Sequence, residues 1–135
     1  MVKTRAEALG IELIFGDIAE FPWDDTDNIC SAVVQTPDRI GNMSDYSELF
    51  DRFREKKVRS IVIQDILSLP ISKPAGEMGA DIAVGSVQRF GIPMGFGGPH
   101  PAYLACKDEL KRKMPGRVIG VSKDKHGDIA YRMAM

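Results

Sequence analysis

Short apolar runs separated by polar or glycine-bearing turns recur along the chain, and their spacing predicts most of its elements. Residues 29 to 35 and 58 to 64 are rich in Val and Ile and are closed by Thr36-Pro37 and Asp65, the pattern of two strands. Ile82 to Val84 and Ala102 to Cys106 read the same way, and Ile11 to Phe15, ended by Gly16-Asp17, predicts a further strand. Tyr46, Leu49, Phe50 and Phe53 recur at i, i+3, i+4 and i+7, the buried stripe of a helix over residues 44 to 57. Ser44 is placed to cap that helix, Asp45 and Glu48 suit its positive end, and Arg54, Lys56 and Lys57 its negative end. Residues 2 to 9 predict the last turns of a helix, stopped at Leu9-Gly10.

Runs that are almost continuously apolar predict a mainly parallel sheet covered on both faces, an α/β architecture with flanking helices. After a short basic helix at 107 to 113 the pattern changes. Residues 117 to 122 and 129 to 133 flank Lys125-His126-Gly127-Asp128, which predicts an antiparallel hairpin. Residues 18 to 28 read as an acidic surface loop, with Trp23 anchored on the core beside Phe21 and Pro22. No internal repeat or low-complexity linker interrupts the chain. Both of its ends read as cut, since the first helix lacks a cap and the last strand lacks a stop.

Composition narrows the picture without naming a chemistry. With 135 residues, 44% hydrophobic and 27% charged, the chain suits one soluble domain. A net charge of -1 gives no electrostatic reason to expect nucleic acid or an anionic membrane as partner. No apolar run approaches the roughly 20 residues that span a bilayer. The first ten residues lack the apolar core of a signal peptide, so the expected location is the cytoplasm. Cys30 and Cys106 are far apart and are expected to be reduced and buried, while His100 and His126 lie on separate segments and predict no metal site.

Candidate chemistry gathers after Ile82 to Val84. Gly85-Ser86 opens into a loop holding Gly91, Gly95, Gly97 and Gly98 together with Pro93 and Pro99. This is neither a G-x-G-x-x-G turn opening a helix nor a P-loop, and the prolines remove amide donors that a phosphate cradle needs. A structural or interface loop is the better reading. His100 could shuttle protons, but no nucleophile or acid adjoins it in sequence, which favours a hydrogen-bonded loop histidine. Asp65 at a strand end reads first as the cap of the following turn. Lys111, Arg112, Lys113 and Arg117 read as a solvated basic face.

Two long motifs go further. One is Gly79-Ala80-Asp81-Ile82-Ala83-Val84-Gly85-Ser86-Val87-Gln88-Arg89-Phe90-Gly91-Ile92-Pro93-Met94-Gly95-Phe96-Gly97-Gly98-Pro99-His100; the other is Lys113-Met114-Pro115-Gly116-Arg117-Val118-Ile119-Gly120-Val121-Ser122-Lys123-Asp124. With Lys3-Thr4-Arg5-Ala6, Leu9-Gly10-Ile11, Gly16-Asp17 and Asp65-Ile66-Leu67-Ser68-Leu69, they closely resemble the amino-terminal half of the glycine decarboxylase (P-protein) family of the glycine cleavage system. The resemblance runs in order along nearly the whole chain and is weakest over residues 18 to 45. It implies that residues 1 to 135 are part of a fold-type-I, aspartate-aminotransferase-like large domain. It also implies a pyridoxal-phosphate enzyme of glycine catabolism that decarboxylates glycine and passes the aminomethyl group to a lipoyl carrier protein.

In that family only the carboxy-terminal half, or a separate subunit, carries the Schiff-base lysine. The chain resembles the other half, with Gln88 at the lysine position. A carboxamide nitrogen is delocalised into its carbonyl and is no nucleophile, so Gln88 cannot hold the cofactor covalently. Lys73 and Lys107 lie outside the motif. The resemblance leaves Asp65, Gln88 and His100 as candidate cofactor contacts, names no catalytic residue and no metal ligand, and implies a chain inactive by itself. Asp65 matches the place of the carboxylate that pairs with the cofactor's ring nitrogen. The glycine loop is implied to lie near the pseudo-symmetric counterpart of the active site. Implied partners are the lysine-bearing half and the lipoyl carrier, which Arg117 and Lys123 could help to dock; in a eukaryote the implied location is the mitochondrial matrix. Two other readings compete: a stand-alone scaffold module derived from the fold, and a small phosphate-binding α/β protein.

Overall fold

The structure is a computed structural model and describes residues 2 to 23 and 28 to 134. Its elements run α1 (Val2–Glu7), β1 (Ser31–Thr36), α2 (Ser47–Glu55), β2 (Arg59–Gln64), β3 (Ile82–Ser86), β4 (Ala102–Cys106), β5 (Val118–Lys123) and β6 (Ile129–Ala134). Three short 3-10 turns, Ile66–Ser68, Gln88–Phe90 and Asp108–Lys113, follow β2, β3 and β4. The basic segment expected to be a short helix is the last of these.

Strands β1 to β4 form one sheet in chain order. β1, β2 and β3 are parallel, with Val34 opposite Val62 and Val62 opposite Ala83, and β4 runs antiparallel to β3. β5 and β6 form a separate antiparallel pair, as the sequence predicts. In β1 and β2 the even-numbered side chains Val34, Thr36, Ser60, Val62 and Gln64 face inward and are buried. Over them lies α2, whose Phe50 and Phe53 are 1% and 2% exposed, together with Val58, Ala75, Met78 and Ala80. Trp23 closes the edge of this layer, its ring 4.6 Å from that of Phe53 and its indole nitrogen donating to the Ile18 carbonyl at 2.9 Å. The acidic loop expected around it lies partly outside the described residues, at 24 to 27.

Several local expectations are corrected. Among the described residues the sheet is covered on one face, not both. Val33 and Ile63 on the opposite face are 58% and 39% exposed, and Leu104 lies on that face too. The predicted strand at Ile11 to Phe15 is irregular, because no segment among the described residues pairs with it and Ile14 and Phe15 point into solvent. α2 begins at Ser47, and the side chain that secures its start belongs to Asp45, which accepts from the Ser47 amide at 2.9 Å and from the Ser47 hydroxyl; Ser44 takes no part. Cys30, one residue ahead of β1, is exposed, whereas Cys106 is half-buried. Both thiols are free.

The helix ends follow the expected chemistry. After α1, Gly10 adopts φ +67°, its amide donates to the Glu7 carbonyl, and the Ile11 amide reaches back to Ala6, the paired bonds of a Schellman stop. α2 stops the same way, with Lys57 taking the left-handed position at φ 59°. The entry to β3 is tied by Asp81, which accepts from the Ser60 amide at 3.0 Å, from Lys107 at 2.8 Å and from Arg59 at 3.4 Å. Burial works against ionising Asp81, but Lys107, the Ser60 amide and Arg59 outweigh it and hold its carboxyl below the usual range.

Candidate functional site

In open α/β sheets the carboxyl ends of parallel strands leave their last side chains and amides facing a common rim, the usual place for a ligand. Here that rim is a shallow cleft of about 180 Å³ between the ends of β1, β2 and β3. Thr36 and Pro37 line it from β1, Gln64 and Asp65 from β2, and Gly85, Ser86 and Arg89 from β3 and the turn after it. Gly85 is sterically required. A Cβ there would lie 2.2 Å from the Gln64 carbonyl oxygen and 2.6 Å from the Tyr103 ring. That clearance lets the Tyr103 hydroxyl cross β3 and donate to the Gln64 carbonyl at 2.8 Å, and burial raises the Tyr103 phenol above its ordinary pKa.

Asp65 serves two purposes at once. One carboxylate oxygen accepts from the Leu67 amide at 3.1 Å and caps the turn Ile66–Ser68, as the simplest sequence reading expects. Its other oxygen is taken by the Arg89 guanidinium in an ion pair. Gln88, one residue before Arg89, turns elsewhere: its side-chain oxygen is 3.3 Å from Nδ1 of His100. The three sequence candidates are therefore brought into one neighbourhood as two pairs, Asp65 with Arg89 and Gln88 with His100. Only the first pair lines the cleft. Arg89 was not a sequence candidate, because its partner stands 24 residues away and no local spacing marks it.

The remaining groups are committed elsewhere. Lys73 donates to Asp45 at 3.1 Å and to the Ser47 hydroxyl at 2.6 Å, and Lys107 is held by Asp81. The Gln64 carboxamide is satisfied by the Lys73 carbonyl and the Ala75 amide, each at 2.9 Å. In the glycine loop the amides of Gly91 and Ile92 donate to the Gln88 carbonyl, and those of Gly97 and Gly98 to Met94, so they are turned inward and not toward an anion. Met94 and Phe96 at its tip are exposed. Among the described residues no cluster of His, Cys, Asp or Glu could hold a metal ion, and no helix is long and apolar enough to cross a membrane.

The residues present do not fit covalent pyridoxal-phosphate chemistry. None of the residues that line the cleft is a lysine, so it offers no primary amine, and its one carboxylate already has a cation of the chain's own.

This mixed sheet, with its ligand-type rim and antiparallel fourth strand, belongs to the α/β class, and comparison with known proteins narrows the class to a family. The glycine cleavage system P-protein family matches residues 1–135, so the chain belongs to that family. It is 49% identical over its whole length to a glycine dehydrogenase (decarboxylating) of Photobacterium profundum and 51% identical to one of Shewanella amazonensis. A mitochondrial glycine dehydrogenase (decarboxylating) of Flaveria trinervia is 48% identical over 98% of the chain. The chain spans 14% of the length of the two bacterial relatives and 13% of the plant one. Its fold superposes on a crystal structure of glycine decarboxylase (P-protein) of the glycine cleavage system, in inhibitor-bound form, with a TM-score of 0.83 and 31% identity. That match covers 99% of this chain and 31% of the other.

Proposed function

We propose that the chain serves as an architectural, non-catalytic segment of glycine decarboxylase, supporting a lysine-bearing P-protein half or subunit that performs the chemistry. The complete enzyme is an oxidoreductase of glycine catabolism. Its pyridoxal phosphate acts as an electron sink for decarboxylation, and its product passes to the lipoyl carrier protein. The site would lie in the cytoplasm of a bacterium or the mitochondrial matrix of a eukaryote. One observation carries the reading: no lysine lines the cleft at the strand ends, its one carboxylate, Asp65, is neutralised by Arg89, and Gln88 is turned away to His100. Asp65 and Arg89 then fix the turns after β2 and β3 against each other, and His100 with Gln88 holds the start of the glycine loop.

Two measurements test this reading. Incubation with pyridoxal phosphate followed by borohydride reduction and mass spectrometry is expected to give no stoichiometric adduct on any residue of the chain. Co-expression with a lysine-bearing half is expected to give a stable complex with raised glycine-dependent exchange of carbon dioxide. A stoichiometric adduct, or no association and no change in exchange, would defeat the reading. The stand-alone scaffold predicts a monodisperse chain indifferent to that half.

A further inference from the structure

The hairpin β5–β6 has two unequal faces. In an antiparallel pair, directly opposed residues point to the same side. The register sets Ile119 against Met133, Val121 against Tyr131 and Lys123 against Ile129, which gathers five large apolar side chains on one face. Val118, Gly120 with Arg132, and Ser122 with Ala130 form the other face. The apolar face is the bare one. Ile129 and Tyr131 are 75% and 74% exposed, and Ile119, Val121 and Met133 are exposed as well; on the opposite face Val118 and Arg132 are exposed at the edge, while Gly120, Ser122 and Ala130 are half-buried.

A two-stranded ribbon is marginal in water by itself, and a contiguous apolar patch of several hundred Å² on a small domain marks an interaction site. From this we infer that the apolar face of β5–β6 is a docking surface for P-protein polypeptide lying outside the matched segment. Its occupant is a segment with an apolar stripe at the centre and a carboxylate at the corner facing Lys123. The identity of the occupant follows from length. The same 135-residue arrangement recurs inside a P-protein chain of which it is 31%, so most of that body lies beyond the matched residues and is available to cover the face. The curated relatives, of which this segment is 14%, carry still more. This deepens the proposed architectural role and rests on it, by assigning the surface through which support is delivered.

The test uses the 135-residue chain with the Photobacterium profundum glycine dehydrogenase from which the matching segment has been deleted. Binding is followed by sedimentation, and the chain's own fold by Trp23 fluorescence. Wild-type chain is expected to bind. Val121→Lys and Tyr131→Lys together are expected to weaken binding at least tenfold, and Ser122→Lys on the opposite face less than threefold. Binding that ignores the double variant overturns the docking face and leaves the architectural role standing; no binding by the wild type, with the deleted enzyme soluble, overturns both. A second readout needs no partner. The free chain is expected to bind an apolar dye several-fold more than the Val121→Lys, Tyr131→Lys variant does. Equal dye binding would overturn the bare face itself, and a discrete dimer abolished by the same variant would assign the face to a second copy instead.

Discussion

The α2 side of the sheet and the apolar face of the hairpin are built from the same kinds of residue and end in opposite environments. Phe50, Phe53, Val58 and Val62 are shut away from water, and the aromatic rings of Trp23, Phe53 and Phe50 adjoin one another in turn. Ile119, Val121, Tyr131 and Met133 are equally apolar and lie in solvent. An apolar pattern thus states that a face must be covered, without stating that the covering belongs to the same segment of chain. The outer sheet face with Val33, Ile63 and Leu104 repeats the lesson on the larger sheet.

The contrast can be broken or sharpened by substitution. Phe50→Ala leaves a cavity under a fully enclosed ring and is expected to cost about 3–5 kcal/mol in urea unfolding followed by Trp23 emission. A loss below about 1 kcal/mol would mean that the α2 layer is as loosely held as the hairpin. Gly85→Ala drives a methyl group against the Gln64 carbonyl and the Tyr103 ring, and a loss of roughly 2–3 kcal/mol with weakened β3–β4 amide protection is expected. Asp81→Asn keeps the shape and removes the charge that Lys107 and Arg59 share; about 1–3 kcal/mol is expected, measured the same way. Tyr131→Ser sits at the other extreme. It should change the stability of the free chain by less than about 0.5 kcal/mol, and a larger loss would reveal packing that the exposed face does not display.

Acid titration probes the same contrast through charge. The Ser47 hydroxyl and amide, followed by Lys73, lower the Asp45 carboxyl from 3.8 to about 2. Asp81 is shifted in the same direction. A carboxylate with a depressed folded pKa binds its proton more readily in the unfolded chain, so its contribution is full above the ordinary value and vanishes as pH falls through the folded one. The melting temperature should therefore drop between about pH 4 and pH 2, and Asp45→Asn should flatten part of that drop. A wild-type curve flat across this interval would contradict the carboxylate contacts at the starts of α2 and β3.

Much of the fold was legible because short apolar runs, bounded by Pro, Gly or Asp, leave few alternatives to strands. The four sheet strands and the hairpin fall where those runs lie. Ile11 to Phe15 misled because a strand exists only through a partner, which a single run does not display. The site was legible in its residue types and not in its pairing. Asp65, Gln88 and His100 stand out from their motifs, but Arg89 acquires its role only when the turns after β2 and β3 meet. Helix α2 shows the same limit: its stripe marks the buried face, whereas its first residue depends on which carboxylate reaches the Ser47 amide.

The Asp65–Arg89 pair has a consequence for how such a segment could change over evolutionary time. A single codon change placing lysine at position 88 would meet a neighbouring guanidinium already seated on the carboxylate. Building amine chemistry at this rim would take at least two replacements, the first without benefit until the second arrives. The ion pair would have to be opened before an amine at this rim could use the carboxylate.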